Sequence, residues 1–171
     1  MASLIEELID VLQKENEEYQ KLLAISMEKT PVIVDGNITK LQEIVAREQE
    51  VVDVIGPLEK KRINVLNGIG NVLNKDPDKL SVGNLIKLME KQPKFQKQLT
   101  DIHDALKYTL DQMVTVNENN KLLLQQSLEL VEFDLNIMRG FRSVPETANY
   151  NKGAYNEIGS NLGRGYFDTK Q

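Results

Sequence analysis

His103 is the one histidine of a 171-residue chain that has no cysteine, so it marks where nucleophile or metal chemistry would have to begin. A histidine that accepts phosphate stands on a helix in the string His-x-Leu-Lys-Gly. Here Leu106 and Lys107 come one place late and no glycine follows. A di-metal carboxylate site would need Glu-x-x-His repeated on paired helices, which one histidine cannot supply. The run from Gly159 to Gly165 is glycine-rich, yet it lacks the Gly-Lys-Ser/Thr ending and the preceding strand of a phosphate loop. No Ser, His and Asp set points to nucleophilic catalysis, and the lack of cysteine removes disulfides, thiolates and cysteine zinc sites. The residues therefore read as a non-enzyme without metal or cofactor. His103 reads as a helix histidine at the solvent edge, and the many Glu residues as solvated partners of Lys and Arg one turn away.

Long elements rich in Leu, Ile, Val, Glu, Lys and Gln, with five prolines and no Trp, must carry whatever the chain does. Such a composition favours helices over sheets. A net charge of −5 argues against a phosphate-binding surface, since nucleic-acid binders gather Lys and Arg on one face. The triplet Lys60-Lys61-Arg62 is too short to reverse that. No apolar run reaches the roughly 18 to 20 residues of a membrane span. The N-terminal string MASLIEELID is acidic and lacks a sustained apolar stretch, so no signal peptide is read there and a cytoplasmic protein is expected.

Ile5, Leu8, Leu12, Tyr19, Leu22 and Ser26 alternate at three and four spacings, with Glu15 as a charged interruption. That is the seam of a coiled-coil helix over about 3–29. Ser3 and Glu6 have capping-box spacing and predict its start. Thr30-Pro31, reinforced by Asp35-Gly36-Asn37, predicts its end. A second helix is expected over about 37–75, with Ile44, Val51, Leu58 and Val65 at every seventh position and Ile55 and Ile69 on the alternate row. Gly56-Pro57 falls inside it. The heptad phase is the same on both sides, so a kinked continuous helix is expected, although an interior proline costs roughly 3 kcal/mol and a local break is the rival. A short helix over about 81–91 connects to a last one over about 94–141, a rod of roughly 70 Å at the usual rise. Beyond residue 142 the composition turns to Asn, Gly, Tyr and Lys, and too few aliphatic residues remain for a core. The expectation is all-α: an elongated antiparallel helical coiled coil or three-helix bundle in a domain 1–142, followed by a flexible, disordered tail 143–171.

The last helix changes character midway. Its every-seventh row is Leu99, Leu106 and Met113, then Asn120, Ser127 and Asp134, so polar groups take over the core row. At the same point a second row begins with Leu124, Leu128, Val131, Leu135 and Met138. The older flank persists as Leu123, Leu130 and Ile137, ending near Phe141, and Leu122 and Phe133 add apolar surface off the stripe. Either this half of the helix touches two neighbours in its own bundle, or part of the stripe is a groove for an amphipathic helix of another chain. A share for each is expected.

The string VNENNKLLLQQSLELVEFDLNIMR resembles the signature of FlgN-type flagellar export chaperones. LIEELIDVLQKENEEYQKLLAISMEKTPVIVDGN and EIVAREQEVVDVIGPLEKKR are similar to the same family, and the likeness spans roughly residues 1–142. The resemblance implies a cytoplasmic chaperone that binds the hook-associated proteins FlgK and FlgL through their termini and delivers them to the flagellar type III export apparatus. It places client binding on the C-terminal helix, here Leu123, Leu124, Leu128, Leu130, Val131, Phe133, Leu135, Ile137, Met138 and Phe141. The tail aromatics Tyr150, Tyr155, Tyr166 and Phe167 are secondary candidates. Two rivals remain: a coiled-coil module that self-assembles, as a homodimer for instance, and a histidine phosphotransfer domain, which would carry acid-labile phosphate on His103.

Overall fold

The computed structural model describes residues 2–76 and 79–142. The tail predicted over 143–171, with its four aromatics, lies outside them. Internal contacts divide the chain into a first unit, Met1–Leu130, and a second, Val131–Gln171. The described residues form four helices and no strand: α1 Ala2–Asp35, α2 Ile38–Val72, α3 Val82–Leu88 and α4 Pro93–Arg142.

The helix ends follow local chemistry, with two departures from the sequence expectation. Ser3 is not the cap of α1, because the helix already includes Ala2. The break at Thr30-Pro31 does not occur either, and α1 continues to Asp35 with Pro31 inside it. Pro31 removes one amide donor, at a cost of about 3 kcal/mol in a helix interior. Val32 and Ile33 just beyond it are 6% and 4% exposed, and burying two such side chains contributes roughly 1.5–3 kcal/mol each. Packing therefore outweighs the proline. The helix stops where Gly36 takes φ 66°. There Gly36 N–H donates to Ile33 O at 3.1 Å and Asn37 N–H to Val32 O at 3.3 Å, the paired closing bonds of a Schellman end. Asn37 at once begins the next helix, its side chain accepting from Lys40 N–H at 3.0 Å.

α2 passes through Gly56-Pro57 without interruption. It closes by the same device with asparagine in the left-handed position: Asn74 has φ 51°, and Lys75 N–H reaches Gly70 O at 2.9 Å. Ser81 caps α3 by accepting from Asn84 N–H at 3.1 Å. α4 opens on Pro93, a position where the missing amide costs nothing. Gln96 Nε2 donates to Ile86 O at 3.2 Å, tying α3 to the first turn of α4.

Within the first unit the core follows the predicted seams, with Tyr19, Val51 and Leu58 at its half-buried edge. Ile5, Leu8 and Leu12 of α1 meet Val65, Leu66 and Ile69 of α2, Leu85 of α3, and Leu99 and Leu106 of α4. Further along, Leu22 packs with Ile55 and Met113, and Ile25 and Val32 with Ile44. As residue numbers rise in α1 they fall in α2, so this pair is an antiparallel hairpin. α4 runs the other way. Thr109 meets Asn16, and Asn120 meets Ser26 and Thr30, at sequence separations of 93, 94 and 90. A near-constant difference means that α4 lies parallel to α1, giving an up-down-up bundle. α1 ends at Asp35, so at a separation of about 92 its register with α4 runs out near Ser127. In the second unit, every residue from Val131 to Arg142 is helical and exposed.

Candidate partner-binding surface

The surface is built on α4, whose two halves differ in what they touch. Up to Asn120 the helix buries a narrow seam in which Leu99, Leu106, Thr109 and Met113 are all at most 7% exposed. Asn120 belongs to that seam. It is the residue at which the row turns polar, and it is only 3% exposed. Its Nδ2 donates to Ser26 O at 2.8 Å, and its Oδ1 accepts from Thr30 Oγ1 at 2.6 Å. Ser26 Oγ in turn donates to Glu48 Oε1 at 3.1 Å, and Lys29 Nζ pairs with Glu48 Oε2 at 2.8 Å. One polar layer thus ties three helices at a single level. A buried asparagine at a seam position fixes register, because any slip would strand its amide without partners.

A second polar layer lies nearer the other end of α1. Glu15 is 1% exposed and sits 3.3 Å from Arg62 Nε. The approach is an ion pair without hydrogen-bond alignment. Burial raises the Glu15 carboxyl above its ordinary range, and the pull of Arg62 offsets this only in part. Tyr19 OH donates to Glu59 Oε1 at 2.7 Å; burial first, then that bond and the carboxylate charge, push the phenol up to about 12. Ser26, Lys29, Glu48 and Asn120 of the first layer also line a surface groove. His103 is a part-exposed residue of α4 whose Nδ1 lies 3.1 Å from Asp104 Oδ1. Among the described residues no group of three or more His, Asp or Glu could hold a metal ion.

Past Asn120 the predicted apolar rows emerge. In the first unit Leu123 and Leu124 are half-buried, while Leu122, Leu128 and Leu130 are exposed. Leu124 lines a surface groove with Leu22, Glu48, Val52, Met113 and Lys121. Val52 is one of several exposed aliphatic residues of α2, with Ile38 and Val45 on the same heptad row. The seven-residue period of that row is the same as that of a buried seam, so the sequence alone does not mark it as exposed. In the second unit Val131, Phe133, Leu135, Ile137, Met138 and Phe141 are between 42% and 76% exposed. The expected sharing of the second row with α1 is not seen beyond Leu124. Ser127 holds its hydroxyl on its own helix, donating to Leu123 O at 2.9 Å.

In each unit this is more apolar exposure than singly scattered surface leucines produce. The described residues define an all-helical bundle whose last helix carries exposed apolar side chains. The sequence profile of the FlgN protein family matches residues 1–157. The chain therefore belongs to the FlgN family, whose members are chaperones of flagellum assembly and export. Comparison with curated proteins and with solved structures found no significant match. Among the described residues no helix is long and apolar enough to cross a membrane.

Proposed function

We propose that this chaperone acts in the cytoplasm, without catalysis of its own, by covering the terminal segments of the hook-associated proteins FlgK and FlgL with the apolar rows of α4. The exposed run from Leu128 to Phe141 is the observation that carries this reading: eight large apolar side chains are each at least 42% exposed. Leaving such groups in water forgoes roughly 1.5–3 kcal/mol of burial each, so a partner that covers them gains affinity without new chemistry. The terminal segment of an unassembled filament protein has the complementary need, since it would self-associate if exposed. Handover to the flagellar type III export apparatus then requires only a competing surface.

The test is co-expression of the chain with each candidate client. A stable complex is expected, weakened at least tenfold by Leu128→Asp or Val131→Asp. Both positions are more than half exposed, so these variants should keep full helicity. Failure to recover either client with the unsubstituted chain would refute the proposal. Self-association of the free chain, lost in the same variants, would assign the surface to a homo-oligomer instead.

A further inference from the structure

The apolar side chains of the second unit fall on two faces of the helix, and the angle between them limits what can bind. At 100° per residue, Val131, Leu135 and Met138 centre on one direction and Phe133, Ile137 and Phe141 on another, about 130° away. Glu132, Asn136 and Arg139 occupy the wide polar arc opposite, and Arg142 closes the first face one turn beyond Met138. Asp134 stands alone in the gap between the two apolar faces. It is exposed and has no ion-pair partner among the described residues.

One docked helix covers a stripe roughly 100° wide, so it can satisfy one face and leaves the other in water. Each face carries three side chains about half exposed, on the order of 250 Å². That is far below the ~800 Å² a stable interface buries per partner. Both faces together supply about 500 Å², most of that area before any polar rim is counted. A helix pair seated on both faces would also close over Asp134, and a lone carboxylate in such a position needs a cation.

We infer that Val131–Arg142 receives two helices of one partner chain, one on each face, and that the partner sets a basic side chain against Asp134. The inference rests on the client-binding reading above and adds the form of the client: an amphipathic helix pair instead of a single helix.

The chain has no native cysteine, so single reporters can be placed cleanly. Leu135→Cys and Ile137→Cys, each carrying an environment-sensitive fluorophore, report on the two faces in the full-length chain. On formation of the FlgK or FlgL complex, both labels are expected to shift to the blue and lose quencher access. Asp134→Lys is expected to weaken the complex about tenfold, with Asp134→Asn between it and the unsubstituted chain. Protection of only one label in a formed complex, or of neither, overturns the inference while leaving client binding intact. Loss of any complex in the unlabelled, unsubstituted chain overturns the client-binding reading itself. Protection of either label in the free chain at high dilution assigns that face to the chain's own residues 143–171; protection that grows with concentration assigns it to a second copy. Both results overturn the helix-pair assignment. Unchanged affinity in Asp134→Lys removes the charge pairing.

Discussion

Asn120→Ala should be among the most destabilising single polar substitutions in the bundle. The side chain is 3% exposed and makes two hydrogen bonds across helices, at 2.8 Å to Ser26 O and 2.6 Å from Thr30 Oγ1. Each bond contributes about 1 kcal/mol net, and a part-buried Thr30 hydroxyl left without its acceptor costs about 1 kcal/mol more. The small void adds a further increment, for a total of about 2–4 kcal/mol. In urea, followed by helical circular dichroism, a loss of that size moves the midpoint down by about 1–2 M with the slope unchanged. Asn120→Leu makes the complementary case. An apolar residue at a seam position gains burial that offsets part of the lost bonds, so its midpoint should fall less than that of Asn120→Ala, but nothing then fixes register. Register is read by pairing Asn16→Cys with Thr109→Cys, positions whose side chains touch at 2.9 Å. The disulfide should form readily in the parent and less completely in the Asn120→Leu background. A midpoint shift below ~0.3 M for Asn120→Ala, against the ~1 kcal/mol expected of a single such bond, would refute the register lock.

Glu15 gives a pH signature. Its folded carboxyl is raised mainly by burial, so the fold favours the neutral form; that contribution is complete below the ordinary carboxylate value and is lost as pH rises through the folded one. Glu15→Gln should be at least as stable as the parent at pH 7, with the difference closing by pH 4; a variant that is clearly less stable at pH 7 would mean that Arg62 attraction outweighs desolvation. Gly36→Ala should cost about 1 kcal/mol in urea denaturation, the usual penalty for a left-handed backbone. A Cβ at that position would meet nothing within 4 Å, so a much larger loss would point to a contact not accounted for. Gly36→Asn should cost less, since Asn74 already holds that conformation at the end of α2.

Much of the bundle was legible because burial imposes a period. Ile5, Leu8, Leu12, Leu22 and Ser26 are buried as their spacing predicts, and so are Ile44, Ile55, Val65 and Ile69, while Tyr19, Val51 and Leu58 of the same rows are half-buried. The helix runs through Pro31 because Val32 and Ile33 pack beyond it, which local chain chemistry does not register, while the unchanged heptad phase does signal that α2 is continuous through Pro57. Pattern alone also cannot tell a polar residue leaving the core from one locked inside it. Asn120 has the same sequence appearance in both cases, and only its partners Ser26 and Thr30, some ninety residues away, decide. The candidate surface was visible as surplus apolar residues. Its two-faced form required knowing that Leu128, Leu130 and every residue from Val131 to Arg142 are exposed.

The contrast along one heptad row suggests how such a chain avoids folding against itself. Leu99, Leu106 and Met113 give α4 the apolar seam that binds α1, and Asn120 ends that seam with a residue that tolerates only one register. The next members, Ser127 and Asp134, would be costly to bury against α1 or α2 without a designated partner. α4 therefore gains nothing by sliding so as to draw Leu128, Val131 and Leu135 into its own core: the slide would strand the Asn120 amide and bury Asp134 unpaired. Large exposed side chains can then persist in a folded bundle because the alternative that hides them is made worse by two polar residues, one buried and one exposed. On this argument Asn120→Leu combined with Asp134→Leu should reduce the accessibility of the apolar rows in the free chain and weaken client binding, although neither substitution removes a single apolar contact from them. Hydrogen exchange across 120–142 reads the first effect, and client affinity the second. If accessibility and affinity both stay at the level of the parent, the polar row does not hold the surface open.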